Sequence, residues 1–316
     1  MTPDTAILRR LREAEYVPAA ELGPDAANSV EGLIAAGYGI EHHPYRGYRL
    51  VSAPDRLIAD DILSRLPERR WIRDVLVFEK TGSTNDVING LARDGAAAGI
   101  VAFAEEQTAG RGRLGRRWQS NPRLGLWFSL LLRPEMPLAE WPRLTLWIAY
   151  AVARGIRACT GLETMVKWPN DIYASGRKLA GILVESSPAE YATAGIGLNV
   201  NHPAFPPPLD ATATSIRIET GAAVNRNALA AAILGALDGT HGLVSGGFNE
   251  VIAWAEEADC LRGRWVAAVT GSATIEGRAE GLDPADGALL IRNAAGEVAR
   301  VVSGEVTRFS VSKEGK

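Results

Sequence analysis

The sequence predicts an α/β protein in three parts: a small α/β unit, a larger α/β region and a run of short strands. Three observations carry this. The chain has 316 residues, about twice the usual length of one domain. Helical apolar stripes alternate with strand-like runs up to Cys260, as in a layered α/β unit. From Leu261 the texture becomes short alternating segments separated by turns, the signature of a small β-barrel.

In the first part, Ile7, Leu8 and Leu11 form one helical stripe and Val30, Leu33 and Ile34 another. A hairpin follows over Ile40–Val51 around Tyr45-Arg46-Gly47-Tyr48, closed by Ala53-Pro54. The second part begins with a helix over Ile58–Leu66, a strand over Asp74–Glu79, a helix over Asn85–Arg93 and a buried strand over Gly99–Glu105. After a Gly/Arg loop, the apolar run Leu124–Leu132 reads as a strand. Trp141–Ala158, apolar through five turns, reads as a buried helix under a sheet. Asp171–Tyr173 and Lys178–Glu185 are strands joined at Ala174-Ser175-Gly176, Tyr191–Val200 is a third, and Pro203–Pro208 is a surface loop. Helices are expected over Asn227–Leu243 and Phe248–Ala258. The barrel strands are expected at Trp265–Val269, Ala273–Leu282, Ala288–Ile291 and Val298–Val302.

Hydrophobic residues make up 47% and charged residues 22%, which excludes a disordered or fibrous chain. Lys and Arg total 34 against 37 Asp and Glu, a net charge of −3, so non-specific nucleic-acid binding by the whole molecule is not expected. Cys159 and Cys260 are the only cysteines, which argues against a disulfide framework or a thiolate zinc site and for a reducing compartment. The first residues carry Asp4, Arg9 and Arg10 in place of an apolar signal core, and no apolar run approaches a membrane span. The expectation is a cytoplasmic protein without a membrane partner.

The densest chemical signal is Gly110-Arg111-Gly112-Arg113-Leu114-Gly115-Arg116-Arg117-Trp118. Four guanidiniums within nine residues repel one another unless anions neutralise them, and the glycines permit close backbone approach. The loop is therefore expected to order around an anionic ligand. Its GxGxxG spacing is not a dinucleotide fingerprint, because Ser120-Asn121-Pro122 and a strand follow where a helix is required. Nor is it a P-loop, since Arg116-Arg117 stands in place of Lys-Ser/Thr.

Three further segments carry polar groups on regular elements. Lys167-Trp168-Pro169-Asn170-Asp171 presents an amide and a carboxylate at a sheet edge, either as a plain turn or toward a ligand and Mg²⁺. Lys178 opens an apolar strand, where it either snorkels or meets an anion. In Gly195-Ile196-Gly197-Leu198-Asn199-Val200-Asn201 two glycines share one face, marking a bulge or room for a flat ligand. Ser83 or Thr84, ahead of a helix, caps it or binds a polar ring.

Together these segments resemble the biotin protein ligase (holocarboxylase synthetase) family. The resemblance runs in order over nearly the whole chain: Ser83-Thr84-Asn85, Gln107 before the GRGRxGRxW loop, KWPND, KLAGILVE and GIGLNVN. It implies a mixed-sheet α/β catalytic domain of class II synthetase-like biotin ligase type over 55–260. It also implies a degenerate winged-helix-like segment over 1–54 and an SH3-like β-barrel over 261–316. The implied reaction joins biotin to ATP with Mg²⁺, forming biotinyl-5′-AMP, and passes biotin to a lysine of a biotin carboxyl carrier protein domain of acetyl-CoA carboxylase or a related carboxylase.

Carried over by position, Lys178, Arg113 and Arg116 are the implied catalytic residues, Lys178 beside the activated carboxyl and the arginines on phosphoryl and carboxylate. Biotin is expected among Ser83, Thr84, Asn85, Gln107, Gly110, Arg111, Gly112, Arg113, Lys178, Gly181, Gly195 and Gly197. The nucleotide is expected at Arg113, Arg116, Trp118, Asn170, Asp171 and Asn199, with Asp171 toward the metal. Near Gly304-Glu305-Val306-Thr307, either Arg308 or Phe309 takes the position facing the nucleotide.

Lipoate ligases and octanoyltransferases share a related fold, but their long-chain acyl pocket does not call for this loop. The other alternative is a bifunctional ligase and DNA-binding repressor of biotin synthesis. DNA binding is not expected, because residues 24–36 leave space for only one helix and a short turn. A homodimer stays open.

Overall fold

The computed structural model describes residues 3–68, 71–187, 191–271 and 273–310. Met1, Thr2 and residues 311–316, which the expected first and last segments include, lie outside the described residues. The first apolar stripe folds as helix α1 (Pro3–Glu13). After a 3-10 turn at Ala19–Glu21 come helix α2 (Ala26–Ala35) and a hairpin of β1 (Gly39–His43) and β2 (Gly47–Ser52). Ile7, Leu8, Leu11, Val30 and Leu33 close a small core of their own. Ile34, expected on the same stripe, is 48% exposed.

The next elements are α3 (Ala59–Ser64), β3 (Asp74–Thr81), α4 (Thr84–Arg93), β4 (Ile100–Gln107), β5 (Gly125–Leu132) and α5 (Pro142–Thr160). They are followed by β6 (Met165–Lys167), β7 (Asp171–Ala174), β8 (Arg177–Ser187) and β9 (Tyr191–Asn199). Helices α6 (Ile216–Thr220), α7 (Arg226–Thr240) and α8 (Phe248–Glu257) complete this part. Strands β3 to β9 form one mixed sheet of seven strands in the order β3-β4-β5-β9-β8-β7-β6. Only β3 and β4 run parallel; the other neighbours are antiparallel.

Alternation along the strands divides the two faces. Val101, Phe103, Leu130 and Leu132 join the main core with the buried helix α5, whereas Ala102 and Leu131 pack with Ile88 and Ala92 of α4. A sheet covered on both sides explains why every residue of β5 is buried.

The last part is a five-stranded antiparallel sheet of β10 (Trp265–Thr270), β11 (Ala273–Leu282), β12 (Leu289–Arg292), β13 (Val298–Val301) and β14 (Glu305–Ser310), ordered β13-β12-β11-β10-β14. This arrangement is consistent with an SH3-like domain. Strand β14 was not expected; it pairs with β10 across a bulge, and it returns the chain to the edge of the seven-stranded sheet. Two other short elements, β6 and α6, are also additions, each shorter than the stretch over which its period can be read. Trp168 is 4% exposed and donates from Nε1 to the carbonyl of Gly287 at 3.0 Å, which ties the KWPND turn to the barrel. No single helix among the described residues is long and apolar enough to cross a membrane.

Candidate active site

Every predicted site residue except Gly110 lines one pocket of about 450 Å³ over the middle of the seven-stranded sheet. Gly110 instead shapes the loop, its carbonyl accepting from Trp118 N at 2.9 Å. The loop is a closed hairpin, bridged at Arg111 and Arg117 and again at Gln107 and Ser120.

The loop's guanidiniums are met by groups of the chain itself. Arg111 donates to both carboxylate oxygens of Asp86, at 2.9 and 2.7 Å, and lies 3.5 Å from Glu185. This bond holds the Asp86 carboxyl below its usual range. Arg113 donates to Asn170 Oδ1 at 3.0 Å and to the carbonyl of Gly304 at 2.6 Å. Burial lowers the Arg113 pKa, partly opposed by Glu305 and Asp171. Arg116 pairs with Glu305 at 2.5 Å. The barrel thus reaches the loop through Gly304 and Glu305.

On the β4/β5 side, Ser83 takes the expected N-cap position of α4, but its hydroxyl makes no capping hydrogen bond. Ser83, Thr84 and Asn85 are all nearly inaccessible. Gln107 Oε1 accepts from Thr84 N at 2.9 Å and Gln107 Nε2 donates to Ser120 Oγ at 3.0 Å. Ser129 and Glu185, absent from the sequence expectation, complete this network through Asn85.

The glycines of β9 admit side chains of the protein. A Cβ on Gly197 would stand 2.4 Å from the Trp118 ring, and one on Gly195 would stand 2.3 Å from Asn85 Oδ1, closer than carbon and these atoms can approach. The register through both residues is regular, which excludes a bulge. Trp118 therefore lies against the sheet at Gly197 and Gly181, with the Lys178 ammonium 5.4 Å from its ring centre.

On the β7/β8 side, Lys178 Nζ lies 2.8 Å from Asp171 Oδ1. Asn170 brackets β8, donating from Nδ2 to the Ile182 carbonyl at 3.0 Å. Asn199 is buried and donates to the Thr214 carbonyl at 3.1 Å.

The sequence reading missed Lys167 and His202. Lys167 Nζ sits 5.1 Å from the Phe309 ring centre and 5.9 Å from that of Tyr173, and no carboxylate forms an ion pair with it among the described residues. Burial lowers its pKa against the opposing pull of Asp171. Neither Phe309 nor Arg308 is among the residues lining the pocket; Phe309 meets Lys167, and the Arg308 side chain is 81% exposed beside Glu276. Burial drops the pKa of His202 to about 4, leaving a neutral ring, stacked on Phe205, whose Nδ1 is buried without a hydrogen-bond partner. The signal that could have found it is a histidine directly after GIGLNVN.

The sequence model of the Biotin/lipoate A/B protein ligase family matches residues 77–201. The chain is 34% identical over 285 residues to the bifunctional ligase/repressor BirA of Bacillus subtilis, covering 88% of this chain and 87% of that protein. It is 39% identical over 171 residues to the biotin--[acetyl-CoA-carboxylase] ligase of Mycobacterium tuberculosis, covering 52% and 63% of the two. Among solved structures, the Aquifex aeolicus biotin protein ligase in complex with biotin and ATP superposes with a TM-score of 0.67 at 29% identity, over 75% of this chain and all of that one. Similarity that spans most of both chains, around a site of this composition, leads to one placement: this chain belongs to the biotin protein ligase family.

Proposed function

We propose that this chain activates biotin with ATP and transfers it to a lysine of a biotin carboxyl carrier domain of acetyl-CoA carboxylase or a related carboxylase. In the first step a biotin carboxylate oxygen attacks the α-phosphorus of ATP. The bond from that phosphorus to the bridging oxygen breaks, and pyrophosphate leaves with the electron pair. In the second step the neutral amine of the carrier lysine attacks the carboxyl carbon of biotinyl-5′-AMP, the bond from that carbon to the phosphate oxygen breaks, AMP departs with the electron pair, and the nitrogen gives up a proton to leave an amide.

The observation that carries this reading is one pocket in which neutral hydrogen-bonding groups and cations are both fixed. Thr84 and Gln107 suit the ureido ring, while Arg113, Arg116, Lys167 and Lys178 suit the two reacting anions. Two anions react only where cations hold them together and offset the charge of the transition state. Each such charge-assisted bond contributes about 2–4 kcal/mol of barrier reduction. Trp118 and the buried sheet exclude water from the anhydride. The neutral His202 and Asn199 line another part of the pocket and suit the nucleotide base.

Mg²⁺ accompanies ATP, offsetting phosphate charge. Asp171 would hold it with a single carboxylate. Among the described residues no group of three or more His, Cys, Asp or Glu is arranged as a metal cage, which fits a magnesium ion carried mainly by phosphate oxygens and water.

Incubating the protein with ATP, Mg²⁺, biotin and a carrier domain tests the proposal by a mass shift on the carrier. An unmodified carrier, with biotin and ATP both bound, would overturn it.

A further inference from the structure

The hydrogen-bond network beside Thr84 has only one consistent arrangement of protons. Glu185 Oε2, ion-paired with Arg111 at 3.5 Å, can only accept, so the Asn85 amide presents Nδ2 to it at 2.6 Å. The other end of that amide, Oδ1, then faces Ser129 and also can only accept. Ser129, at 0% exposure, must donate its single hydroxyl proton there, at 2.5 Å. Having no second proton, Ser129 Oγ receives its 2.7 Å bond from the hydroxyl of Thr84. Thr84 has then spent its own proton. Its 3.1 Å approach to Gln107 Oε1 carries none, and that oxygen is served by Thr84 N at 2.9 Å. What Thr84 Oγ1 offers the pocket is a lone pair.

We propose that Glu185, Asn85 and Ser129 are positioning residues that make Thr84 an obligate acceptor, so that the site selects a ring presenting an N–H at this point. The inference rests on the biotin reading above and specifies it: a cyclic urea is accepted, and a cyclic carbamate, with ring oxygen in place of one N–H, sets two acceptors face to face. An unpaired buried acceptor is costly because neither partner recovers the hydrogen bond lost from water. The selectivity is set by a carboxylate that does not touch Thr84.

The test is calorimetric binding of biotin and of the two cyclic-carbamate analogues, each with one ureido N–H replaced by oxygen. In the unaltered protein one analogue is expected to bind about 100-fold more weakly than biotin. Ser129→Ala removes the nearer of the two acceptors of the Thr84 proton and leaves the 3.1 Å contact to Gln107 Oε1, so that the proton can also turn into the pocket and this ratio should fall severalfold. Glu185→Ala, at a partly exposed position that keeps the test alive if the buried variant fails to fold, frees the Asn85 amide and should move the ratio the same way. Both ligands weakening in parallel, with the ratio unchanged, would show a merely structural network and overturn the assignment. Failure of the unaltered protein to bind biotin would overturn the biotin reading itself, and the assignment with it.

Discussion

The ammonium of Lys178 lies 2.8 Å from Oδ1 of Asp171, joining two adjacent strands at the edge of the pocket. Neither side chain is freely solvated, at 32% and 14% exposure. Lysine at this position therefore does two things: it compensates a partly buried carboxylate, and it fixes a positive charge beside Trp118, where the proposed reaction would bring its carboxylate and phosphoryl groups. Lys178→Gln is expected to slow formation of biotinyl-5′-AMP by about 100-fold or more. It should also cost about 1–3 kcal/mol of stability, because Asp171 loses its counter-charge. Pyrophosphate release and a denaturant titration on the same preparation measure both. Near-normal turnover would exclude Lys178 from the chemistry.

Lys167 gives a separable prediction. Its ammonium is held between Tyr173 and Phe309 without a carboxylate partner among the described residues, on the side where Arg113 meets the barrel at Gly304. That location suits the pyrophosphate half of the nucleotide. Lys167→Met should raise the KM for pyrophosphate in the reverse reaction by about tenfold or more. Transfer from preformed biotinyl-5′-AMP to the carrier, which involves no pyrophosphate, should keep its rate. Equal losses in both half-reactions would count against the assignment.

The sequence made the regular elements and most of the pocket legible for physical reasons. Alternation exposes β3 and β9, and a continuous apolar run exposes β4; the density of Gly and Arg exposes the loop; a lysine at the head of an apolar strand exposes Lys178. The remainder depends on groups distant in the chain. Asn85 and Glu185 are 100 residues apart, and Arg116 and Glu305 are 189 apart, so no local pattern pairs them. Ser129 is hidden because a lone hydroxyl within Gly125–Leu132 reads as a tolerated polar residue. The loop shows the consequence. Its charge was expected to order it around a ligand, and in the fold Asp86, Glu185 and Glu305 supply the anions.

Asp259 provides a stability prediction with a definite sign. It is 8% exposed at the junction where Val166 pairs with the chain entering the barrel. Its Oδ1 accepts from Leu261 N at 2.8 Å, while Oδ2 is buried without a hydrogen-bond partner. Burial raises its pKa from 3.8 to about 6, partly opposed by the Leu261 N–H. The folded chain thus keeps this proton over a window in which the unfolded chain has released it. The resulting stability is complete below pH 3.8 and is lost as pH rises through about 6. Asp259→Asn retains the acceptor for Leu261 and removes the charge. It should stabilise the protein by about 3 kcal/mol at pH 7.5, with the advantage vanishing toward pH 4. Thermal melts of both proteins across that range measure it, and a gain independent of pH would assign the effect to something other than ionisation.

The N-terminal unit yields the last prediction: it forms no sequence-specific complex with DNA, although the Bacillus subtilis relative is named a bifunctional ligase/repressor. Residues 1–54 carry five arginines, no lysine and seven acids, whereas phosphate contacts require clustered cations. Helix α2 turns Ala26, Val30 and Leu33 into the core and leaves Ala27, Asn28, Glu31, Ile34 and Ala35 exposed. Of these only Asn28 suits a base edge, and Glu31 opposes the backbone. The arginines of the hairpin are already engaged: Arg46 lies 3.9 Å from the Tyr16 ring centre and 3.3 Å from Glu15, and Arg49 lies 3.9 Å from the same glutamate. The unit is instead fastened to α3, where Arg12 meets the fully buried Asp61 at 2.6 Å and donates to Ser64 Oγ at 2.7 Å. Arg9 adds a bond to the Leu66 carbonyl at 2.8 Å. These contacts hold the segment against α3 and the turn that follows it. A gel-shift at low salt, with biotinyl-5′-AMP present and the upstream region of biotin synthesis genes as probe, should show only weak retardation that competitor DNA of any sequence removes. A complex that survives such competitor would restore the repressor role and require a second subunit to supply the missing positive charge.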